Sequence, residues 1–320
     1  PPVEDVGYSY QGRRENVSRV SKRRLIVTNQ IIVTMKTNLI LSMFLGMAFS
    51  SCMSVNSQNA IVPSKNYITQ KVKVEKFDGI STSTSIDVIY TQTTGNTDVE
   101  IYAPDNLMKY VKVEVDGGML KIGFESEEKG RGLNIKGKHE TEVRISAPAV
   151  HSLRASSSGD IILKNGLQTT GKVHVESSSS GDIKGVNIVC DALDTEASSS
   201  GDIDLDKVEC TSLMLEASSA GDVSIKALKA ETVHAEASSS GDVSLEGVCR
   251  SAKFDASSAG DIEADELKAD KVVAKASSAG DITCNVLESL DASTSSAGNV
   301  RYKGNPKQIQ NHSKGLQKMD

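Results

Sequence analysis

The dipeptide Gly-Asp returns at Gly159-Asp160, Gly181-Asp182, Gly201-Asp202, Gly221-Asp222, Gly241-Asp242, Gly260-Asp261 and Gly280-Asp281, and a variant copy, Gly298-Asn299, closes the series. Successive copies lie 22, 20, 20, 20, 19, 20 and 18 residues apart. Runs of small residues precede them, such as Ala155-Ser-Ser-Ser, Ala197-Ser-Ser-Ser, Ala217-Ser-Ser-Ala, Ala237-Ser-Ser-Ser and Ala276-Ser-Ser-Ala. Inside a unit the polarity alternates: Val223 and Ile225 with Ser224 and Lys226, then Val233, Ala235 and Ala237 with His234 and Glu236. Alternation over four to seven residues broken by polar turns is a strand signature, and no stretch holds a helical period. Twenty residues are too few for a β-α unit and suit one coil of three short strands. The chain is therefore predicted to be all-β, a single-stranded β-helix (β-solenoid) with about 20 residues per coil. Eight coils at strand spacing make a rod on the order of 40 Å long. A lone coil leaves its edges open, so stability comes from neighbouring coils and the ends need caps.

Composition agrees with a thin, layered core. Trp is absent, aromatics are 4% of residues, and Phe254 is the sole ring between Ala155 and Asn299. Val, Ile, Leu and Ala must fill that interior. At each corner, Gly is expected to supply a positive φ, and Asp to accept backbone N–H groups around the turn. Inward Ala and Ser keep the corner narrow, with hydroxyls placed to bond along their column. The Asp column, Asp160 to Asp281, also has the oxygens that Ca²⁺ prefers, but turn capping is the favoured role. Cys190 and Cys210 fall at one position of adjacent coils, close enough for a disulfide, with a stacked pair of thiols as the favoured alternative.

The organisation reads as residues 1–34, an upstream extension; 35–51, a lipoprotein-type signal peptide; 52–66, a flexible tether; 67–150, an N-terminal β region and cap; 151–300, regular coils; and 301–320, a polar tail that is either an end cap or disordered. In the N-terminal region, Ile86 to Tyr90 alternates, Thr97 to Ile101 looks like a strand that starts a coil, and the turn Asp116-Gly-Gly118 links Val111, Val113 and Val115 to a strand from Leu120 to Phe124. Lys36, the apolar run Leu39 to Phe49, and Ser50-Ser51 ahead of Cys52 have the anatomy of a secretory signal. That apolar run is too short to span a bilayer as a helix. The Phe-Ser-Ser-Cys end resembles a bacterial lipobox, which makes Cys52 the lipidation site and membrane anchor; ordinary cleavage with an incidental cysteine is the alternative. The basic cluster Arg13, Arg14, Lys22, Arg23 and Arg24 precedes Met35, and a start site placed too far upstream explains it more simply than a nucleic-acid signal.

Phe77-Asp-Gly-Ile80, the Asp87-Val88 strand, the segment Asp116-Gly-Gly-Met-Leu-Lys-Ile122 and the Ala-Ser-Ser-Ser-Gly-Asp coils together resemble the putative auto-transporter adhesin, head GIN domain family, over about residues 71–300. The resemblance implies a right-handed β-helix, an envelope location and an adhesion role without established catalytic residues.

The net charge is −6, and residues 1–51, with seven basic and three acidic groups, leave the remainder at −10. That balance argues against nucleic-acid partners and against a basic patch for anionic lipid. Cys190, Cys210, Cys249 and Cys284 form no CxxC pair, and no histidine stands at metal-motif spacing, so neither a metal nor a cofactor is expected. His139, His151, His174, His234 and His312 sit at outward or loop positions and the many serines lie in structural columns, so a structural role is favoured over a Ser/His pair, which spacing alone leaves open. The expected function is a non-catalytic envelope or cell-surface β-helix lipoprotein of bacterial outer membranes, facing the periplasm or the cell surface, which binds a glycan, protein or other polymer. The enzymatic alternative is a polysaccharide lyase or hydrolase acting through the excursions around Lys129 to His139, although coils of constant length without rings offer no sugar platform. Ice or crystalline-glycan binding by serine rows is a weaker idea still, since ordered Thr makes the better template.

Overall fold

The computed structural model describes residues 60–126, 132–312 and 314–319. The signal segment, the upstream extension, Cys52 and Lys129 lie outside the described residues. The described chain is all-β, with parallel strands stacked about 20 residues apart as a solenoid of about eight turns.

Each regular coil has a seven-residue long side, a corner, and two shorter sides. Ala192–Ser198 is a long side, Ile203–Leu205 the second side after its corner, and Ile188–Val189 a third side. From Val223 onward the three sides merge into one bent strand per coil: Val223–Ser238, Val243–Ser257, Ile262–Ala276 and Asp281–Thr294. Period-two alternation becomes a wall with two faces. On Ala192–Ser198, Leu193, Thr195 and Ala197 are buried while Asp194, Glu196 and Ser198 point outward. Parallel pairing in register stacks like on like, so Leu193, Leu213, Val233, Ala252, Val272 and Leu290 form one buried column. The next inward column holds Phe254, which is 1% exposed and is flanked by Ala235 in the coil before and Ala274 in the coil after. A ring fits this core because its two neighbours are methyl groups.

The N-terminal coils are threaded out of sequence order. The coil of Gly79–Thr82 and Asp87–Gln92 lies between two later segments. It pairs on one side with Met119–Phe124 and Glu142–Ala147, and on the other with Ser152–Ala155 and Ile161–Leu163, all in parallel. The strand predicted to begin a coil at Thr97 does not do so. Asp98–Pro104 instead runs antiparallel between Tyr67–Val72 and Glu142–Ala147 and covers the open edge. No Ser-Gly-Asp corner precedes it to set a parallel register, and an end coil needs its edge closed. The predicted hairpin forms as read: Val111–Asp116 pairs antiparallel with Met119–Phe124, and the turn uses left-handed φ at Gly117 (59°) and Gly118 (80°).

One terminal expectation changes and the other is resolved. The described part of the tether, from residue 60 on, is docked, because Ile61 bridges Ile135 and Asn66 Nδ2 donates to Asp105 Oδ2 at 2.8 Å. Short polar side chains fix this segment where the apolar pattern gave no strand. At the other end the tail takes the end-cap form: Gln308–Asn311 pairs with Ser289–Ala292, and Leu316–Lys318 with Val300–Tyr302. Lys303 reinforces this end through ion pairs to Asp265 at 2.6 Å and Glu266 at 2.9 Å.

Phe254→Ala should destabilise the solenoid by about 3–5 kcal/mol, because two alanine neighbours cannot fill the void. Urea unfolding followed by far-ultraviolet circular dichroism measures it, and a loss below about 1 kcal/mol would show that the column collapses around the gap.

Candidate functional site: the corner and its acidic walls

The corner that follows each long side depends on two residues before the glycine. Ser199 and Ser200 have φ of 53° and 72°, Ser219 and Ala220 of 55° and 66°, and the same pair recurs at each corner from Ser179 and Ser180 to Ser296 and Ala297. The predicted positive φ at glycine is thus corrected, since Gly201, Gly221, Gly241, Gly260 and Gly280 do not adopt it. Left-handed φ costs roughly 1–2 kcal/mol per non-glycine residue, which explains why only unbranched, small Ser and Ala stand there. Glycine is needed for close approach. A Cβ on Gly221 would lie 2.5 Å from Ser198 N, and one on Gly241 2.5 Å from Ser218 N, both backbone atoms of the preceding coil. The turn closes through Gly221 N–H donating to Ser218 O at 3.0 Å, a bond repeated at Gly201, Gly241 and Gly260.

The aspartates act between coils and not within their own turn, which corrects the turn-capping prediction. Asp182 N–H donates to Asp160 Oδ1 at 3.0 Å, Asp202 N–H to Asp182 Oδ1 at 3.2 Å, and Asp222 N–H to Asp202 Oδ1 at 3.1 Å. The ladder continues through Asp242, Asp261 and Asp281 at 2.9–3.0 Å and ends where Asn299 Nδ2 donates to Asp281 Oδ1 at 2.9 Å. It also begins one coil earlier than the repeat, with Asp160 N–H donating to Asp87 Oδ1 at 3.1 Å. Stacking like charges has a cost. Burial first, and then the neighbouring aspartates, raise the carboxyls of Asp202 and Asp242 above the ordinary value of 3.8, while the donated N–H opposes the shift. Lys184 relieves one end through contacts to Asp182 Oδ2 at 2.9 Å and Asp160 Oδ2 at 3.7 Å. Hydroxyl bonding along the inward column is not general: Ser177 Oγ donates to Gly181 O within its own corner, and most coils carry Ala there.

On the long side, register creates a second acidic row that sequence reading passed over. Glu176, Glu196, Glu216, Glu236 and Asp255 stand in consecutive coils at one outward position, followed by Lys275. Its signal was present in the sequence as an acid one residue before five successive Ala-Ser or Ser-Ser runs, from Glu176 to Asp255. Beside it runs a groove of about 440 Å³ lined by Glu216, Glu236, Asp255, Lys275 and the serines Ser238, Ser257, Ser277 and Ser295. Across the corner a second groove of about 260 Å³ is lined by Asp202, Asp204, Asp222, Asp242 and Glu263 with Ser224 and Ser244. Neither wall carries an aromatic ring.

Cys190, Cys210, Cys249 and Cys284 are free thiols, so Cys190 and Cys210 form the stacked pair and not a disulfide. Burial pushes Cys190 up to about 11 and Cys210, Cys249 and Cys284 up to about 12, which keeps all four protonated and poorly nucleophilic near neutrality. The structure does bring together one hydroxyl, imidazole and carboxylate. His151 Nδ1 meets Asp78 Oδ1 at 2.7 Å, and Nε2 meets Thr169 Oγ1 at 3.0 Å. The same Nε2 also faces the Thr170 carbonyl at 3.1 Å, and a carbonyl oxygen accepts only from a protonated nitrogen. His151 links three adjoining coils through Asp78, Thr169 and Thr170. His139 packs against the Phe124 ring at 5.9 Å.

Gly241→Ala should destabilise by about 1–3 kcal/mol or more through overlap with Ser218, whereas Ser240→Gly, at φ 65°, should cost nothing or stabilise; urea denaturation compares the two. The Asp202 charge opposes folding at neutral pH, since its folded value lies above 3.8, and that penalty vanishes as pH falls through the raised value. Asp202→Asn keeps the acceptor and removes the charge. It should be at least as stable as the parent at pH 7 and lose part of the parent's gain toward pH 4, while Asp202→Ala should cost about 1–3 kcal/mol by orphaning the Asp222 N–H.

The same architecture appears in solved structures. One described as a putative lipid binding protein from Parabacteroides distasonis ATCC 8503 is 21% identical, with a TM-score of 0.61, over 82% of this chain and 100% of its own. A putative adhesin from Parabacteroides merdae ATCC 43184 is 18% identical, with a TM-score of 0.58, over 82% of this chain and 100% of its own. A putative adhesin from Parabacteroides distasonis ATCC 8503 is 21% identical, with a TM-score of 0.58, over 81% and 99%. At these identities the likeness shows the fold. No curated protein matches the chain. No helix among the described residues is long and apolar enough to cross a membrane. The sequence of the family described as putative auto-transporter adhesin, head GIN domain, matches at residues 76–206 and 196–306, which cover most of the solenoid, and the chain belongs to that family.

Proposed function

We propose that this protein is a non-catalytic lipoprotein of the bacterial envelope, anchored through Cys52, whose solenoid binds an extended polymer, a glycan or a protein, at the cell surface. The observation that carries this reading is the register. Glu196, Glu216, Glu236 and Asp255, with Ser198, Ser218, Ser238 and Ser257 two residues further along, repeat at strand spacing, and Glu216, Glu236, Asp255, Ser238 and Ser257 line a groove. A partner with its own repeat can make the same weak contact at several coils, and such contacts multiply in affinity without any single strong one. Membership of an adhesin-like family and an apparent lipobox support the placement. The polysaccharide-enzyme alternative finds carboxylates in both grooves but no aromatic ring among their lining residues to hold a sugar.

Size-exclusion runs of the chain with a panel of glycans and matrix polymers test binding and catalysis together. Co-elution with polymer of unchanged length is expected, and it should weaken about tenfold or more when Glu196 and Glu216 are both changed to Gln. Shortened polymer would overturn the non-catalytic reading. No co-elution with any polymer would leave a structural envelope component. Labelled fatty acid should enter the parent and not Cys52→Ala.

A further inference from the structure

Along the chain, His234, Glu236 and Asp255 have no metal-motif spacing, and the solenoid alone brings them together. His234 and Glu236 are outward neighbours on one long side, and Asp255 stacks on Glu236 in the next coil. Their donor atoms all lie within 4.8 Å of one another. His234 Nε2 is 3.1 Å from Glu236 Oε1 and 3.4 Å from Asp255 Oδ2. A tetrahedral ion with bonds of about 2.0–2.1 Å to nitrogen and oxygen separates its ligands by about 3.3 Å, which the two distances from His234 Nε2 already match.

The convergence on one nitrogen separates this histidine from the others. His174 meets Glu176 through Nε2 at 3.4 Å and Asp194 through Nδ1 at 3.5 Å, so these two acids approach different sides of the ring. His151 has both nitrogens engaged, and His312 has one acid, Asp291, at 3.4 Å. The site also holds a cation of the chain's own. Lys253 Nζ lies 3.0 Å from His234 Nε2 and 2.7 Å from Asp255 Oδ2. An ammonium has only donors, so in the tautomer that takes its hydrogen bond Nε2 presents the lone pair a metal would use, while a protonated Nε2 donates to the two acids instead. Asp255 Oδ2 is closed off from solvent and receives no well-aligned hydrogen bond; the Lys253 contact is an ion pair alone. The lysine side chain is 45% exposed, which gives its long stem room to swing away. Glu236 and Asp255 also line the 440 Å³ groove, so the remaining coordination position opens toward it.

We propose that His234, Glu236 and Asp255 form a surface site for a borderline divalent transition-metal ion such as Zn²⁺, with Lys253 as the resident cation that the metal displaces. Zinc takes both imidazole nitrogen and carboxylate oxygen, and the imidazole favours a transition metal over Mg²⁺ and Ca²⁺. The site shares Glu236 and Asp255 with the acidic row of the proposed polymer groove, but zinc binding can be measured without any polymer, so either reading can fail alone.

Isothermal titration of the full chain with zinc chloride tests it. The parent should bind one ion at this site, and His234→Ala should weaken that binding about a hundredfold or more, since even supporting residues around metal ligands are worth 10–100-fold. His174→Ala should leave it unchanged. Lys253→Met should tighten it roughly tenfold by removing the competing charge. All three side chains point out from the strand, so circular dichroism should match the parent in each variant. Absence of zinc binding in the parent, affinity unaltered by His234→Ala, affinity lost with His174→Ala, or no gain from Lys253→Met would each overturn the proposal.

Discussion

The approach of each corner glycine to the backbone of the coil before it is the contact on which the rest of the solenoid depends. With a Cβ excluded at 2.5 Å, successive corners can nest, and that nesting sets the register of the sides that follow. The register then places each Asp N–H against the Oδ1 of the aspartate one coil back. Two left-handed residues per corner work against this arrangement, and the stacked hydrogen bonds and buried apolar columns offset their cost. Ser and Ala at those two positions are therefore a compromise: small enough to accept the conformation, and not glycine, which would loosen the unfolded chain further.

Once register is fixed, every outward position becomes a row. Rows of one charge are the natural product of such a fold, and they are tolerated on the long side because it faces water and because Arg154 and Lys275 stand at the two ends of its acidic column. Between these ends a ligand meets one chemistry repeated coil after coil on a scaffold whose side chains are held by strand pairing. Where a row is interrupted, as by His234, Lys253 and Val273 in the column next to the acids, local chemistry differs from coil to coil. Regular rows suit extended partners, and the interruptions are where a discrete site can form.

Much of the fold was legible because strand alternation and coil length are local properties. The inward identity of Val233, Ala235 and Ala237, the hairpin at Gly117-Gly118, and the coil boundaries at the Gly-Asp pairs all follow from short windows. The reasons behind the repeated residues were harder to read. A recurrent glycine says that a Cβ is not tolerated, but positive φ and close approach leave the same mark in sequence, and here the second holds. A recurrent aspartate says that an acceptor is needed without saying whether the donor lies two residues or twenty residues away. The out-of-order coil at Gly79–Gln92 was invisible for a related reason, since parallel strands of similar pattern can pair with several partners and only the packed whole selects one.

By itself, the sequence determined an all-β solenoid of about 20 residues per coil, regular coils whose aliphatic interior holds the single phenyl ring of Phe254, and an acidic exterior, because these depend on composition and on the two-residue period of a strand. Only the tertiary structure decided which outward side chains meet: the Glu176-to-Asp255 row, the clamp of Asp78, His151 and Thr169, the free Cys190 and Cys210, and the convergence of His234, Glu236 and Asp255. Those contacts join residues a whole coil apart. A shift of one residue in stacking would turn each such side chain to the opposite face, so they exist only once the corners have locked the coils together.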